Sequence, residues 1–112
     1  MSNKTFLVSS FKVDTEESEI FWEGRRLATY GHLLCLGDED RFIVYFIDRK
    51  KRIPLPVYIP EYNLGAIFID VDQMDAYLSL SRIDEPIYIY MNEKYPEQNA
   101  ITVNEPIREA IC

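Results

Sequence analysis

Short stretches of alternating apolar and polar residues run through most of this chain, and a period of two residues is typical of strands. The clearest stretch covers residues 53–62. Its two faces are aliphatic (Ile53, Leu55, Val57, Ile59) and proline-rich with one tyrosine (Pro54, Pro56, Tyr58, Pro60). Because proline donates no backbone hydrogen bond, we expect a sheet edge or extended polyproline-like chain here. The aliphatic face should point into the core.

Further strands are predicted wherever short apolar runs lie between turn residues. The polar connection 37–40 is of the hairpin type and joins two of these strands. The segment 87–91 alternates as well, with Tyr88 and Tyr90 opposite its aliphatic residues. The other predicted strands are residues 5–13, 27–36, 41–48, 66–71 and 100–103.

One helix is predicted over residues 72–82. Asp70 or Asp72 can cap its start. A single buried stripe is expected at the spacing of three and four residues: Met74, Tyr77, Leu78 and Ser81. Arg82 suits the negative end of the helix dipole, and the run 84–86, which ends in proline, stops the helix.

Residues 14–30 fit two structures. Asp14 followed by Glu17 resembles a capping box, and the pair Arg25 and Arg26 suits a helix end. Against a helix, the run 20–22 followed by Glu23 and Gly24 has the form of a hairpin arm and its turn. We favour the hairpin.

Together these elements predict a β-dominated α+β fold. We expect a single twisted antiparallel sheet, or a partly open barrel, of about six or seven strands carrying one short helix at about 72–82. A doubly wound α/β fold is disfavoured, because the chain has room for only one or two crossover helices.

The composition is that of one globular domain over residues 1–112, with 47% hydrophobic and 28% charged residues. No apolar run approaches the roughly 20 residues of a membrane span, and no secretory signal is recognisable. We therefore expect a cytoplasmic protein that binds no membrane. Cys35 and Cys112 should then be free thiols, with Cys35 packed as a small hydrophobe.

Candidate catalytic and metal-binding residues are few, and none forms a recognisable motif. His32 and Cys35 are close in sequence, but three residues apart on a strand they point to opposite faces. Asp70, Asp72 and Asp75 could surround a hard cation, although capping explains them as well. We predict no catalytic residues, no metal site, no cofactor and no enzymatic activity; cation binding by the three aspartates is left open.

Basic residues concentrate in the segment 25–52, which carries seven of the twelve cations. The turn 49–52 could grip phosphate, and Trp22, Tyr30 and Tyr45 could stack on bases. The formal net charge of −7 opposes a polyanion, so nucleic-acid binding is an alternative and not the leading hypothesis.

The acidic charge lies entirely in the second half of the chain. Residues 1–52 hold nine acids and nine bases, whereas residues 53–112 hold ten acids and three bases, which gives 3 − 10 = −7. Six of the eight tyrosines lie there too. We expect an exposed aromatic patch with an acidic border, formed by Tyr58, Tyr88 and Tyr90 with Glu61, Asp84, Glu85 and Glu93.

Such a patch predicts a small acidic, non-catalytic protein–protein interaction domain that binds a basic partner protein. An inhibitor that imitates nucleic acid is one form of this hypothesis. The alternatives are a small-molecule-binding or enzymatic β-barrel domain, and the nucleic-acid binder based on residues 25–52. A homodimer also stays open.

Overall fold

Strands dominate the fold, as the alternating sequence predicts. The computed structural model describes residues 3–48 and 53–103. Within these residues there are ten strands and one α-helix. The strands are β1 Asn3–Leu7, β2 Ser10–Asp14, β3 Ser18–Trp22, β4 Arg25–Thr29, β5 His32–Leu36, β6 Arg41–Ile47, β7 Val57–Ile59, β8 Leu64–Asp70, β9 Tyr88–Asn92 and β10 Ala100–Thr102.

A five-stranded central sheet has the order β2-β5-β6-β8-β7. Strands β6 and β8 pair in parallel, and the remaining neighbours are antiparallel. Phe42, Val44 and Phe46 of β6 are fully buried on one face of this sheet. Ile47 is fully buried on the other face, so β6 is central because both of its faces are largely apolar.

A smaller sheet, β1-β9-β10, covers one face of the central sheet. Ile89 and Met91 of β9 and Phe6 of β1 point inward and meet the buried face of β5 and β6. This contact is the main core of the domain. Alternation in β9 therefore places Tyr88 and Tyr90 on the outer side of the small sheet, as predicted.

The segment left open by the sequence is a hairpin, which confirms the favoured prediction. Strands β3 and β4 pair antiparallel from Ser18 opposite Thr29 to Trp22 opposite Arg25. Glu23 and Gly24 form the turn with φ of 51° and 79°. Positive φ at both positions is what a tight two-residue hairpin requires. The hairpin packs on the other face of the central sheet, where Trp22 meets Phe68 edge-on at 4.9 Å between ring centroids.

Gly31 carries the chain from the hairpin into the central sheet. Its φ is +143°, and a Cβ there would lie 2.6 Å from the backbone oxygen of Asp14. Only glycine tolerates both that backbone conformation and that close approach. On the neighbouring strand the amide of Phe46 donates to the Gly31 carbonyl at 3.0 Å, so the bend stays joined to β6.

The helix lies where the spacing of apolar residues predicts it. Helix α1 covers Met74–Ser79 and is flanked by 3-10 turns at Val71–Gln73 and Leu80–Arg82. The carboxylate of Asp70 caps the first turn by accepting a hydrogen bond from the Asp72 amide at 3.1 Å. Leu78 is buried in the main core, and Met74 and Tyr77 pack against it.

The prediction of a strand-dominated fold with one α-helix is confirmed for the described residues, whereas the predicted single sheet or partly open barrel of six or seven strands is not confirmed. The described residues form sheets of three, five and two strands, and one pair is parallel. Alternation reveals which residues share a face of a strand but not which strand pairs with which. The parallel pair arises because the chain passes through residues 53–63 before β8 returns beside β6.

The predicted direction of segment 53–62 is also wrong. Tyr58 is buried at 7% exposure in the main core, whereas Leu55 is 81% exposed and Ile53 is 42% exposed. Both faces of the central sheet are packed here, so Val57 contributes to the second core instead.

Among the described residues, no helix is long and apolar enough to cross a membrane.

Candidate interaction surface

The outer side of the small sheet presents an uncharged surface that we name the tyrosine face. Tyr88 lies between Leu7 and Thr102, and Tyr90 lies between Thr5 and Ala100. Leu7 is 52% exposed, and both tyrosines are half-buried. Both rings are therefore partly open to solvent. The tyrosine face comprises Thr5, Leu7, Tyr88, Tyr90, Ala100 and Thr102.

Carboxylates flank both ends of strand β9. Asp84 and Glu85 come before the strand, Glu93 and Glu97 follow it, and all four are exposed. The strand between the two acidic ends has five residues, a length of about 17 Å. None of the six positions of the tyrosine face is charged. The surface thus has a neutral centre between two ends that carry carboxylates, with Lys94 beside Glu93 at the second end.

A network of asparagines holds the β9–β10 connection beside this face. The Asn92 side chain donates to the Tyr90 hydroxyl at 2.8 Å, and its oxygen accepts from the Tyr95 amide at 2.8 Å. The Asn99 oxygen accepts from the Asn92 amide at 2.8 Å, and its nitrogen donates to the Val57 carbonyl at 2.9 Å. These bonds fix Tyr90 and join the small sheet to β7. We did not predict these roles from the sequence; two asparagines bracketing a Pro-containing connection were the available signal.

Tyr58 does not belong to the tyrosine face. Its ring is buried in the main core, and burial raises the pKa of its hydroxyl; the nearby Lys4 opposes this shift, and the Asp40 and Glu93 carboxylates add to it. Lys4 and Asp40 form an ion pair at 2.9 Å, and the hydrogen bond with Asp40 raises the Lys4 pKa. Tyr58 is therefore excluded as an exposed partner-binding anchor.

The predicted acidic border is divided between two parts of the fold. Asp84, Glu85 and Glu93 flank the strand of the tyrosine face, as expected. Glu61 is exposed on the 3-10 turn Pro60–Tyr62, which belongs to the end of the central sheet. Glu61 therefore lies at neither end of strand β9. Its part in partner binding stays a prediction.

His32 and Cys35 point away from each other, as their spacing predicts. Cys35 is fully buried in the main core, where burial raises its pKa to about 12. His32 lies on the opposite face of the sheet, 6.0 Å from the Tyr45 ring between centroids. A thiol so far from ionisation is a poor nucleophile. Cys112 lies outside the described residues.

Of the three aspartates near the start of the helix, Asp70 acts in capping. The part of the chain that the structure describes contains no group of three or more His, Cys, Asp or Glu side chains able to hold a metal ion. The carboxylate of Asp70 is used by the backbone of Asp72.

The basic segment is only partly described. Arg26 pairs loosely with Glu19 at 3.7 Å on the hairpin, and Arg41 donates to the Tyr62 carbonyl at 3.0 Å. Residues 49–52, the proposed phosphate grip, lie outside the described residues.

A cleft of about 450 Å³ lies between helix α1, strand β8 and strand β10. Its wall is mostly apolar, and Glu97 is the one carboxylate among the residues that line it.

No protein-family model, curated protein or solved structure matches this chain. We therefore base the function on the geometry of the tyrosine face and of this cleft.

Proposed function

We propose that this chain is a non-catalytic protein–protein interaction domain that binds a basic partner protein through the tyrosine face. The observation that carries the proposal is the uncharged, partly exposed Tyr88–Tyr90 surface with carboxylates at both ends of its central strand. Tyrosine provides large, rigid contact area at low entropic cost, so the two rings supply the anchors.

The charges suit the approach of a cationic partner. Asp84 and Glu85 at one end and Glu93 at the other are exposed, so they act on the rate of encounter more than on the contact itself. The partner should therefore carry an apolar or aromatic centre with lysine or arginine at its border. An inhibitor of a basic enzyme is one form of this function. Imitation of nucleic acid is less well supported, because the acids of this surface gather at two ends instead of forming a regular row.

Photo-crosslinking from two tyrosine positions tests the proposal. The domain is made with a photoreactive phenylalanine analogue at position 88 or, as a matched control, at position 62. Tyr62 is 65% exposed on the turn of the central sheet, away from the tyrosine face. We expect position 88 to crosslink one defined basic protein from lysate at low salt, and position 62 to crosslink it weakly.

Affinity measurements with the captured protein then test the anchors and the charges separately. Tyr88→Ala should weaken binding at least about tenfold, whereas Tyr62→Ala should change it less than about twofold. Asp84→Asn combined with Glu93→Gln should lower the association rate and flatten its dependence on salt. Equal crosslinking from both positions, or an acidic captured partner, would remove the basis of the proposal.

The free, buried thiol of Cys35 supports the proposed cytoplasmic location, since a reducing compartment keeps such thiols unoxidised.

Sedimentation of the purified domain decides whether a second copy occupies the tyrosine face. Dissociation of a dimer by Tyr88→Ala would assign the face to self-association and overturn the basic partner.

A further inference from the structure

The cleft beside helix α1 runs along the edges of two strands and not over the face of a sheet. Ile67 and Phe68 of β8 both line it, although Ile67 points into the main core and Phe68 into the second core. Ala100 and Ile101 of β10 also both line it, although neighbouring strand residues point to opposite faces. A cavity that contacts successive residues of one strand must follow its backbone edge. We name this cavity the edge cleft.

The edge of β8 in this cleft has no strand partner within residues 3–48 and 53–103. Strand β7 pairs with β8 only from Ile59 opposite Leu64 to Val57 opposite Ala66. If the same pairing continued, Pro56 would lie opposite Ile67 and Pro54 would lie opposite Ile69. Both prolines lack the N–H that a ladder needs, and residues 53–56 are not strand. The sequence itself therefore ends β7, and no described strand pairs with residues 67–69 on this side.

Strand β10 is the last strand of the small sheet, and β9 is its one strand neighbour in the described residues. A row of backbone N–H and C=O groups that no strand pairs with is a template for another strand. Ala76, Tyr77 and Leu80 of the helical segment form an apolar wall beside it. At about 3.3 Å per residue, three residues of an extended chain span the β8 stretch 67–69.

We propose that the edge cleft binds an extended segment of a partner protein by strand addition, with its backbone pairing with β8 at residues 67–69. The charged and polar residues of the edge cleft further define the segment that binds. Glu97 is exposed and is the one carboxylate in the lining, while the Asn99 amide is already bonded to Asn92 and Val57. The segment therefore carries small or apolar residues facing the helix and a lysine or arginine that reaches Glu97.

The edge cleft and the tyrosine face are different sites, so an experiment can contradict one proposal and leave the other intact. Ala100 belongs to both surfaces because it lies on β10, but Tyr88 and Tyr90 do not line the edge cleft. A Tyr88→Ala variant should leave strand addition unchanged.

Titration with defined peptides tests strand addition directly. The probe is an acetylated, amidated hexapeptide, Thr-Val-Lys-Val-Thr-Val, followed by amide NMR shifts and hydrogen exchange of the full chain. We expect shifts at residues 67–69 and 100–101 and slower exchange at alternate amides of β8. The same peptide N-methylated at alternate residues keeps its side chains but loses backbone donors, and it should bind at least about tenfold more weakly.

Protein variants separate the cleft from the remaining surface. Ala76→Trp fills the edge cleft from an exposed helix position and should abolish binding, whereas Gln73→Trp on the same helical segment, outside the lining, should not. Glu97→Lys should weaken the lysine peptide and strengthen its glutamate counterpart, while Glu61→Lys should do neither. Equal binding of the N-methylated peptide, failure of the parent peptide to bind, or shifts that map elsewhere would each overturn the proposal.

Discussion

The two faces of the central sheet are made by the same strands, yet they differ in burial. On the side of the small sheet the inward residues are fully buried: Leu33, Cys35, Phe42, Val44 and Phe46. Their neighbours on the other side are half-buried: Leu34, Leu36, Ile43 and Tyr45. The difference follows from the cover, since a three-stranded sheet seals one face and a two-stranded hairpin lies on the other.

This contrast assigns different physical roles to the two sides. A sealed, close-packed face supplies most of the stability, because each buried side chain has lost its contact with water and gained many neighbours. The hairpin face leaves apolar groups at the surface, with Phe21 at 72% exposure on the hairpin itself. The half-buried residues of that side contribute less to folding and tolerate change more readily, although Ile47 is fully buried there.

The largest effect is expected for truncation on the sealed face. Phe42→Ala removes a fully buried ring from the main core and should lower the free energy of unfolding by about 3–5 kcal/mol. Ile43→Ala, the next residue on the same strand, truncates a half-buried side chain of the other face and should cost about 1 kcal/mol. Urea unfolding of both variants measures the difference.

Equal losses from these two substitutions would show that both faces are equally sealed in solution. The comparison of the two sides would then be wrong. If Phe42→Ala does not fold, Val44→Ala on the same buried face is the milder replacement, and Ile43→Ala stays the comparison on the other side.

The next effect concerns the bend that takes the chain from the hairpin into the central sheet. Gly31→Ala places a Cβ 2.6 Å from the Asp14 carbonyl at φ +143°, and it should cost about 2–3 kcal/mol. Gly24→Ala at the hairpin turn has φ +79° but open space around it, so about 1 kcal/mol is expected. Thermal unfolding compares the two. A smaller loss at position 31 than at position 24 would mean that the strand junction relaxes freely.

Much of the local structure could be predicted from the sequence because local patterns determine it. The Glu23–Gly24 turn, the helix stripe with Leu78 inside, and the inward Ile89 and Met91 all follow from spacing. The direction of Tyr58 could not be predicted in this way. Its strand packs on both faces, so the hydrophobic pattern gives two acceptable orientations, and tertiary packing selects between them.

The position of the tyrosine face could be predicted from the sequence, whereas the edge cleft could not. Tyr88 and Tyr90 lie outside because β9 has one buried face, and alternation then determines the other. The edge cleft was not predicted, since its lining comes from residues distant in sequence, such as Pro56 and Ile101. Pairing of non-adjacent strands leaves no periodic signal, although the prolines at 54 and 56 did indicate an unpaired edge.

The smallest effect sharpens the comparison through pH. On the sealed face, burial raises the pKa of Cys35 from 9.0 to about 12, so the folded state keeps its proton where the unfolded state loses it. The resulting stability is fully present well below pH 9 and is lost progressively as the pH rises from about 9 toward 12. At pH 9 the loss from this thiol is about 0.4 kcal/mol relative to neutral pH. Urea unfolding at pH 7, 8 and 9 in a Cys112→Ser background should show this decline, and adding Cys35→Ala should remove it. A native thiol that reacts rapidly with a disulfide reagent at pH 8 would show that the sealed face opens, because a buried, protonated Cys35 should react only through unfolding.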